Sequence, residues 1–306
     1  MKKIDIVIVN WNGGHYLQEC VESVVKFSND LVNKIVVVDN ASTDNSLLML
    51  NKFDDLELVV NSKNLGFAAA SNIGSKIGRS EYILFLNPDA RIYLDTLKIV
   101  LAFMQSKENS NVGICGVQLY NENGEIARSS SRHPSVKGIL SRSIGLNKVF
   151  PSLGDPMSEW DHLNTKVVDQ IIGAFFFVRR HVFQELNGFD ERFFVYYDEV
   201  DFSLRAKQLG WHSVYLADAQ AFHVGGGLSR QVKAKRLFYT HRSSILYAFK
   251  HFNTIKIILV LLAILFIEPV ARIILFIGKK SLTSIKETLS AYAMLYKWLF
   301  LLFINN

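Results

Sequence analysis

The fold is most readily predicted from the stretch Tyr82-Ile83-Leu84-Phe85-Leu86-Asn87-Pro88-Asp89. Its five leading apolar residues are typical of a strand that is buried on both faces of a sheet. In open α/β folds, ligands bind outside the carboxyl ends of the parallel strands. The carboxylate that follows this run, Asp89, is therefore predicted to lie at the ligand-binding edge of a sheet.

Two earlier stretches have the same form, in which an apolar run is followed by short polar side chains. Residues 4–9 lead into Asn10-Trp11-Asn12, and residues 34–38 lead into Asp39-Asn40-Ala41-Ser42-Thr43-Asp44. The predicted strands are Ile4–Val9, Ile35–Val38, Leu56–Val60, Tyr82–Leu86 and Asp169–Val178, and the predicted helices lie at residues 17–25, Ser46–Phe53, Gly66–Ile77 and Phe202–Leu209. This alternation predicts an α/β fold with a mostly parallel, Rossmann-like sheet whose strand ends collect on one side.

Charge is distributed unevenly along the 306 residues, which carry a net charge of +6. Residues 228–306 contain 12 Lys and Arg against 2 Glu, whereas residues 1–227 contain 22 Lys and Arg against 26 Asp and Glu. We therefore divide the chain into a catalytic domain, 1–227, and a basic, apolar helical region, 228–306. A basic, apolar tail favours an anionic membrane surface as partner, and no nucleic-acid readout motif is present.

The apolar segments of this tail are Ile257–Ile267 and Ala291–Ile304. The first is broken by Glu268-Pro269 and falls short of the roughly 20 apolar residues of a spanning helix. Glu268 and Arg272 are four residues apart and could pair, so a kinked or re-entrant span is a further alternative. We expect helices that lie on the cytoplasmic face of the cell membrane, in a peripheral or monotopic manner, rather than helices that span it. A buried helical subdomain is the alternative.

Four motifs, in this order, resemble those of family 2 glycosyltransferases of the GT-A fold. They are Val38-Asp39-Asn40-Ala41-Ser42-Thr43-Asp44, Asn64-Leu65-Gly66-Phe67-Ala68-Ala69-Ala70-Ser71-Asn72, Asn87-Pro88-Asp89 and Asp198-Glu199-Val200-Asp201. The resemblance covers residues 3–225 and is greatest to the rhamnosyltransferase-like branch, which builds bacterial surface polysaccharides. It implies inverting transfer of a sugar from a dTDP- or UDP-linked donor to a polyprenyl-linked glycan. Rhamnose is the sugar that it favours, with galactofuranose, glucose and N-acetylhexosamines open, as is the oligomeric state.

The first two motifs are predicted to hold the nucleotide. Asp39 presents an acceptor-only carboxylate, which suits the imide N–H of uracil or thymine, unless it caps the next helix. Trp11 offers a face for base stacking, and Gly66 permits close backbone approach where a helix begins. The full predicted nucleotide set is Asn10, Trp11, Asn12, Asp39, Asn64, Gly66, Phe67, Asn72 and Asn87.

A divalent metal, Mg²⁺ or Mn²⁺, is predicted at Asp89, because a leaving diphosphate must be neutralised and carboxylates are hard ligands. The family places an acidic residue where this chain has Asn87. His223, in His223-Val224-Gly225-Gly226-Gly227, matches the position of a further metal ligand in relatives.

The acidic motif is predicted to supply the base that takes a proton from the acceptor hydroxyl. By resemblance the second acidic residue is the base, which is Glu199 here. The family more often has Glu-Asp where this chain has Asp-Glu, so Asp198 and Asp201 remain alternatives, and Arg205 is expected to orient the cluster.

Two other functions fit parts of this pattern. A sugar-phosphate nucleotidyltransferase also binds nucleotide and metal, but it would carry a basic, Gly-rich loop after the first strand, where this chain has Asn10-Trp11-Asn12-Gly13-Gly14. A degenerate transferase retained as a membrane partner of a polysaccharide assembly complex is the second alternative.

Overall fold

The computed structural model describes residues 2–157, 159–225 and 232–304. Contacts group them into two compact units, of which the first contains residues 2–133, 160–194 and 198–225. The second contains residues 134–157, 159, 195–197 and 232–304. The predicted division at 227/228 lies outside the described residues, and the unit that holds the C-terminal helices also includes residues that the sequence assigned to the first domain.

A large sheet forms the centre of the first unit, and ten of the described strands belong to it. The strands are β1 (Ile4–Asn10), β2 (Val32–Asp39), β3 (Leu56–Val60), β4 (Tyr82–Leu86), β5 (Ala90–Ile92), β6 (Val112–Tyr120), β7 (Ile126–Ala127), β8 (Ser130–Ser131), β9 (Lys166–Val168), β10 (Gln170–Ile171), β11 (Phe175–Arg179) and β12 (His212–His223). The helices of the chain are α1 (Gly14–Phe27), α2 (Phe67–Ser75), α3 (Thr96–Gln105), α4 (Val136–Ser143), α5 (Arg180–Glu185), α6 (Asp198–Gln208), α7 (Lys233–His251), α8 (Thr254–Leu262), α9 (Glu268–Gly278) and α10 (Leu282–Ile304).

The strand order is β3-β2-β1-β4-β11-β6-β12-β5, with β7 beside β6 and β9 beside β12, while β8 pairs with β10. Strands β1 to β4 are parallel, and β11 runs antiparallel to both β4 and β6. Because β12 is parallel to β6, its carboxyl end lies on the same edge as those of β1, β2 and β4. The predicted α/β, mostly parallel sheet is confirmed, and this edge of the sheet carries the site.

The opposite edge is held by a charge that the apolar pattern of β1 conceals. Asp5 is buried, and its Oδ2 accepts from Arg180 Nη2 at 2.7 Å and from the Ser80 backbone N–H at 2.7 Å. Arg180 also donates to the Ser75 carbonyl. A buried charge is tolerated when it is paired and hydrogen-bonded, so this cluster ties β1 to the segment that follows β11.

Several predicted elements differ from those observed. The single strand predicted over Asp169–Val178 is divided into β10 and β11 by residues 172–174, and the helix predicted over Ser46–Phe53 is a 3₁₀ turn, Leu47–Leu50. Residues 128–166, which the sequence left without regular structure, contain α4. The long central strands β6 and β12 were not predicted.

The second unit packs helices α4, α7, α8, α9 and α10 around a core that includes Ile139, Ile245, Val260 and Leu295. Helices α8 and α9 join through a π-helical turn, Ala263–Ile267, into one helix over Thr254–Gly278. In the described chain this helix alone is long and apolar enough to cross a membrane, by length and composition.

Glu268 and Pro269 interrupt the apolar run of the sequence, but they do not end the helix. Proline lacks the N–H that would bond the carbonyl four residues earlier, that of Leu265. The Tyr296 hydroxyl donates to this carbonyl at 2.5 Å instead. The helix therefore continues through Pro269, which the sequence pattern alone does not reveal.

Candidate active site

The ends of β1 and β2 are joined by a buried hydrogen-bond network. Asn10 is fully buried, and its Nδ2 donates to Asp39 Oδ1 at 2.8 Å and to the hydroxyls of Ser42 and Ser46 at 3.0 and 2.9 Å. Its Oδ1 accepts the Gly13 backbone N–H. The side chain of Asn10 thus organises the loops after β1 and β2.

Asp39 is buried among these partners, with 1% of its surface exposed. Its Oδ1 also accepts the Ser42 hydroxyl at 2.6 Å, while Oδ2 accepts the Ser42 backbone N–H at 2.9 Å. A carboxylate oxygen can accept two hydrogen bonds, so Oδ2 keeps capacity for one further donor. Asp39 fixes the turn after β2 and does not cap a helix, since the next helical turn begins at Leu47, and its Oδ2 keeps room for one further N–H.

Trp11 and Asn12 lie where the β1 and β2 loops meet. The Asn12 Oδ1 accepts from the Thr43 backbone N–H at 2.7 Å, and the Ser42 hydroxyl accepts the Asn12 N–H at 2.8 Å. Asn12 takes a positive φ of 53°, and Trp11 beside it is 37% exposed. An aromatic face held out by ordered loops is available for stacking.

Gly66 is required by its surroundings. Its φ is +89°, and a Cβ built on it would lie 2.3 Å from the Phe194 carbonyl oxygen. The Phe67 backbone N–H donates to the same oxygen at 2.6 Å, and Asn64 Oδ1 accepts the Gly66 N–H at 2.9 Å. The sequence reasoning did not select Asn40, whose side chain bonds the Gly66 carbonyl and the Leu65 N–H and so ties this loop to β2.

Asn72, which the sequence places in the nucleotide set, supports a neighbouring turn. It is buried, and its side-chain amide makes two hydrogen bonds to the backbone of Phe189. Nδ2 donates to the Phe189 carbonyl at 2.9 Å, and Oδ1 accepts the Phe189 N–H at 3.0 Å. Nδ2 also donates to Glu191. All of these partners belong to the turn after α5, so the described geometry makes Asn72 a support for that turn.

The predicted metal ligands meet across two strands. In the β5/β12 pair, His223 lies opposite Ala90, which places it beside Asp89. The distance from His223 Nε2 to Asp89 Oδ1 is 3.2 Å, and the Val224 N–H donates to the Asp89 carbonyl. Asn87 lies two residues earlier, its backbone N–H bonded to the Ala174 carbonyl at 3.1 Å.

A carboxylate and an imidazole at this spacing fit a Mg²⁺ or Mn²⁺ ion that takes its other ligands from a diphosphate and water. Each side chain keeps about a tenth of its surface exposed, so both ligand atoms lie at the rim of the site rather than in the core. Among the described residues no group of three or more His, Cys, Asp or Glu could hold a metal by itself. The pair therefore fits a metal that is shared with its substrate.

Asp198 and Glu199 begin α6, and the two side chains differ in their surroundings. Asp198 is 2% exposed, and its Oδ2 has no protein partner. Burial, the adjacent Glu199 carboxylate and the hydrogen bond between the two raise the pKa of Asp198 well above its usual range. Burial also raises the pKa of Glu199. Hydrogen bonds to its carboxylate oppose this rise, and they come from its own backbone, from the Asp198 side chain and from the Gly173 backbone.

Asp201, the third carboxylate of the motif, is paired with Arg205. It is fully buried, and its Oδ2 accepts from Arg205 Nε at 2.7 Å. Arg205 also donates to the carbonyls of Leu186 and Gly188. Within the predicted acidic cluster Arg205 therefore pairs with Asp201, and its bonds to the two carbonyls hold the turn after α5.

Residues 172–174, the break between β10 and β11, connect the two chemical groups of the site. The Gly173 backbone bonds the Glu199 carboxylate, and the next carbonyl, that of Ala174, accepts the Asn87 N–H. The glycine inside the predicted strand was the sequence feature that marked this position. The base candidate and the metal motif are thereby held at the same edge of the sheet.

This edge of a mostly parallel sheet, with loops suited to a nucleotide, a ligand pair and a carboxylate pair, defines a nucleotide-sugar glycosyltransferase of the GT-A fold. The sequence profile described as Glycosyl transferase family 2 matches residues 5–186. The chain belongs to that family.

Curated relatives extend the match beyond the profile. The chain is 28% identical over 209 residues to the low-salt glycan biosynthesis hexosyltransferase Agl10 of Haloferax volcanii, covering 67% of this chain and 62% of that enzyme. It is 23% identical to the N-acetylglucosaminyl-diphospho-decaprenol L-rhamnosyltransferase of Mycobacterium tuberculosis, covering 80% of this chain and 83% of that enzyme. It is 25% identical to rhamnosyltransferase WbbL of Escherichia coli K12, covering 79% and 91%.

Solved structures agree on the fold. The mannosyltransferase PcManGT of Pyrobaculum calidifontis, in complex with GDP-Man and Mn²⁺, superposes with a TM-score of 0.56 at 15% identity, covering 97% of this chain and 87% of that one. GalNAc-T7 with UDP, GalNAc and Mn²⁺ has a TM-score of 0.57 at 15% identity, covering 80% and 50%. The two predictions that this chain is a family 2 enzyme and that it has the GT-A fold are confirmed.

Proposed function

We propose that the enzyme transfers rhamnose, with inversion, from a dTDP-linked donor to a lipid-linked glycan during surface polysaccharide synthesis. The observation that carries the chemistry is the Asp198–Glu199 pair. The Gly173 backbone hydrogen-bonds the Glu199 carboxylate at the sheet edge where Asp89 and His223 meet. The sugar is supported by relatives named as rhamnosyltransferases, of which this chain covers 83% and 91%.

In this reaction an acceptor hydroxyl attacks the anomeric carbon of the donor from the face opposite the diphosphate. Glu199 takes the hydroxyl proton as the new C–O bond forms, and the bond between the anomeric carbon and the phosphate oxygen breaks with its electron pair on the diphosphate. Asp198, held protonated by its buried position, donates a hydrogen bond to Glu199 and keeps that carboxylate oriented. Inversion follows because the attack is a single in-line displacement.

The nucleotide would lie on the loops after β1 and β2. Asp39 Oδ2 receives the imide N–H of thymine or uracil, and Trp11 offers its exposed face to the base. Asp89 and His223 would hold Mg²⁺ or Mn²⁺, which when bound neutralises charge on the diphosphate. Solved structures of the same fold hold Mn²⁺, which supports a divalent ion here.

A polyprenyl-diphosphate-linked glycan is the proposed acceptor, because the Mycobacterium relative is named for a diphospho-decaprenol substrate. Such an acceptor lies in a membrane, which agrees with the basic, apolar composition of residues 228–306. We place the enzyme on the cytoplasmic face of the cell membrane, where nucleotide sugars are made. The nucleotidyltransferase alternative is not favoured, since the chain matches the glycosyltransferase family. The alternative of a degenerate partner is not favoured, since both carboxyl groups of the Asp198–Glu199 pair are present.

The test is a transfer assay with purified enzyme, Mn²⁺ and a polyprenyl-diphosphate-N-acetylglucosamine acceptor, with dTDP-rhamnose, UDP-galactofuranose and UDP-glucose compared as donors. We expect product with dTDP-rhamnose and a change of anomeric configuration detected by NMR. Transfer from another donor alone would reassign the sugar. Retention of configuration would exclude Glu199 as the base of a single displacement.

A further inference from the structure

The helix Thr254–Gly278 carries an ion pair on its inner face. Glu268, at mid-helix, is 1% exposed and is paired with Arg272, whose Nη2 lies 2.7 Å from Glu268 Oε1. Ser143 donates to the other carboxylate oxygen at 3.3 Å, and His241 Nε2 lies 3.5 Å from Oε1. The face of this helix that packs against the other helices of the second unit therefore includes a hydrogen-bonded ion pair beside its apolar contacts.

The outward face of the same helix is apolar along its whole length. Its exposed positions recur three or four residues apart, at Ile255 (72%), Ile258, Leu262, Phe266 (61%), Val270, Ile274 (66%) and Ile277. This spacing places them in one row on an α-helix, which we call the outer stripe. An uninterrupted exposed apolar row of this length marks a surface that is covered by something other than water.

Lysines bracket the outer stripe. Lys256 is exposed in the first turn of the helix, and Lys279 and Lys280 are exposed directly after the helix ends at Gly278. The helix-rich segment as a whole carries 12 basic against 2 acidic residues. A second copy of this chain would bring like charges together, whereas an anionic lipid surface neutralises both ends of the stripe.

We propose that the outer stripe is the membrane-docking surface of the enzyme, lying in the plane of an anionic leaflet with its side chains among the acyl chains. This inference rests on the proposed function only in that a lipid-linked acceptor requires such a location. It names the helix face that contacts the lipid, which the composition of residues 228–306 could not supply.

An in-plane position follows from the neighbours of the helix. At about 1.5 Å per residue the 25 residues could reach across a bilayer, so length does not decide between the two orientations. However, α7 packs against α8 and α10 and carries Lys233, Lys235, Arg236, Arg242 and Lys250 along its length. A helix of that polarity does not enter hydrocarbon, so the unit meets lipid from one side only.

The test is flotation of the purified full chain with vesicles of phosphatidylcholine alone or with added phosphatidylglycerol. Three variants are compared with wild type. The first replaces Ile258, Phe266 and Ile274 by Ser; the second replaces Lys256, Lys279 and Lys280 by Gln; the control replaces Leu58, Val60 and Leu209, which are similarly exposed in the first unit, by Ser.

We expect the stripe variant to lose binding by about 100-fold or more and the lysine variant by about 10-fold, the latter on anionic vesicles only. The control should float like wild type, and binding should be released by alkaline carbonate. Equal flotation of the stripe variant, or resistance to carbonate extraction as for a spanning helix, would overturn the proposal, as would a salt-stable dimer that buries the stripe. Circular dichroism and dTDP binding of each variant show separately whether its fold and its donor site are intact.

Discussion

Two adjacent carboxyl groups, Asp198 and Glu199, share one site but are held in unlike environments. The Asp198 side chain is enclosed, and burial and the neighbouring Glu199 charge raise the pKa of Asp198, which favours its protonated form. Glu199 gains hydrogen bonds from Gly173 and from Asp198, which stabilise its charged form. Like charges in contact do not both ionise readily, so the pair is best described as one proton shared between a donor and a base.

Replacing Glu199 by Gln removes the base but preserves its shape and its bond to the Gly173 N–H. We expect kcat to fall by about 10³-fold, within the range typical of a lost general base, while donor binding changes little. Asp198→Asn keeps a hydrogen-bond donor and should cost about 10-fold. Steady-state transfer kinetics together with dTDP titration measure both, and a Glu199→Gln enzyme that turns over normally would move the base elsewhere.

The pH dependence tests the same assignment. Burial raises the pKa of Glu199, and the base acts only when deprotonated, so activity should rise with pH through a midpoint above the ordinary glutamate value. Asp198→Ala removes a hydrogen bond that lowers the pKa of Glu199, and should therefore move this midpoint upward. A midpoint that is the same in the Ala variant and in wild type would show that the pair is not the titrating group.

At the scale of elements, the sequence predicts well where three of the strands end. Apolar runs followed by short polar residues located the carboxyl ends of β1, β2 and β4 to within one residue, because the polar side chains of a site collect in the loops after buried parallel strands. The same reasoning selected Asp89 and the β2 loop. It did not reveal that the Asn10 and Asn72 side chains hydrogen-bond neighbouring loops and backbone. An amide at a strand end or on a helix can serve a ligand or the protein's own backbone, and the sequence does not distinguish the two.

The break between β10 and β11 could not be predicted from apolar periodicity. Residues 170–179 form a nearly continuous apolar run, and it is the contacts of 172–174 with Asn87 and Glu199 that interrupt the pairing. Contacts of this kind join residues that are far apart in sequence. Only Gly173 within the run indicated that a close approach occurs there.

The turn at Gly66 gives a prediction at the same scale. Gly66→Ala combines a positive φ with a Cβ that would lie 2.3 Å from the Phe194 carbonyl oxygen, so we expect a loss of about 3 kcal/mol or more in the free energy of unfolding. Gly124→Ala is the matched control, with a φ of +75° and no atom within 4 Å of the new Cβ, and should cost about 1 kcal/mol. Denaturant unfolding of both variants compares them, and equal losses would show that the contact with Phe194 is unimportant.

At the scale of the whole molecule, the metal pair depends on strand direction. His223 is separated from Asp89 by 134 positions, and the two meet because β12 is parallel to β6 and antiparallel to β5. The sequence offered His223 only through its resemblance to the family. A pairing of this range follows from the assembled sheet, so the motifs themselves assigned the two residues to one metal only through the family resemblance.

Metal-dependent binding of the nucleotide is measured by calorimetric titration of the full chain with dTDP and UDP, each with Mn²⁺, Mg²⁺ or EDTA. The central claim is that Asp89 and His223 hold a divalent ion against a nucleoside diphosphate at this edge. We expect metal-dependent binding of dTDP in wild type, weakened about 10- to 100-fold in Asp89→Ala and in His223→Ala, and unchanged in Glu57→Ala, which removes only a surface ion pair. Binding of equal strength in EDTA and in the two ligand variants would contradict the claim.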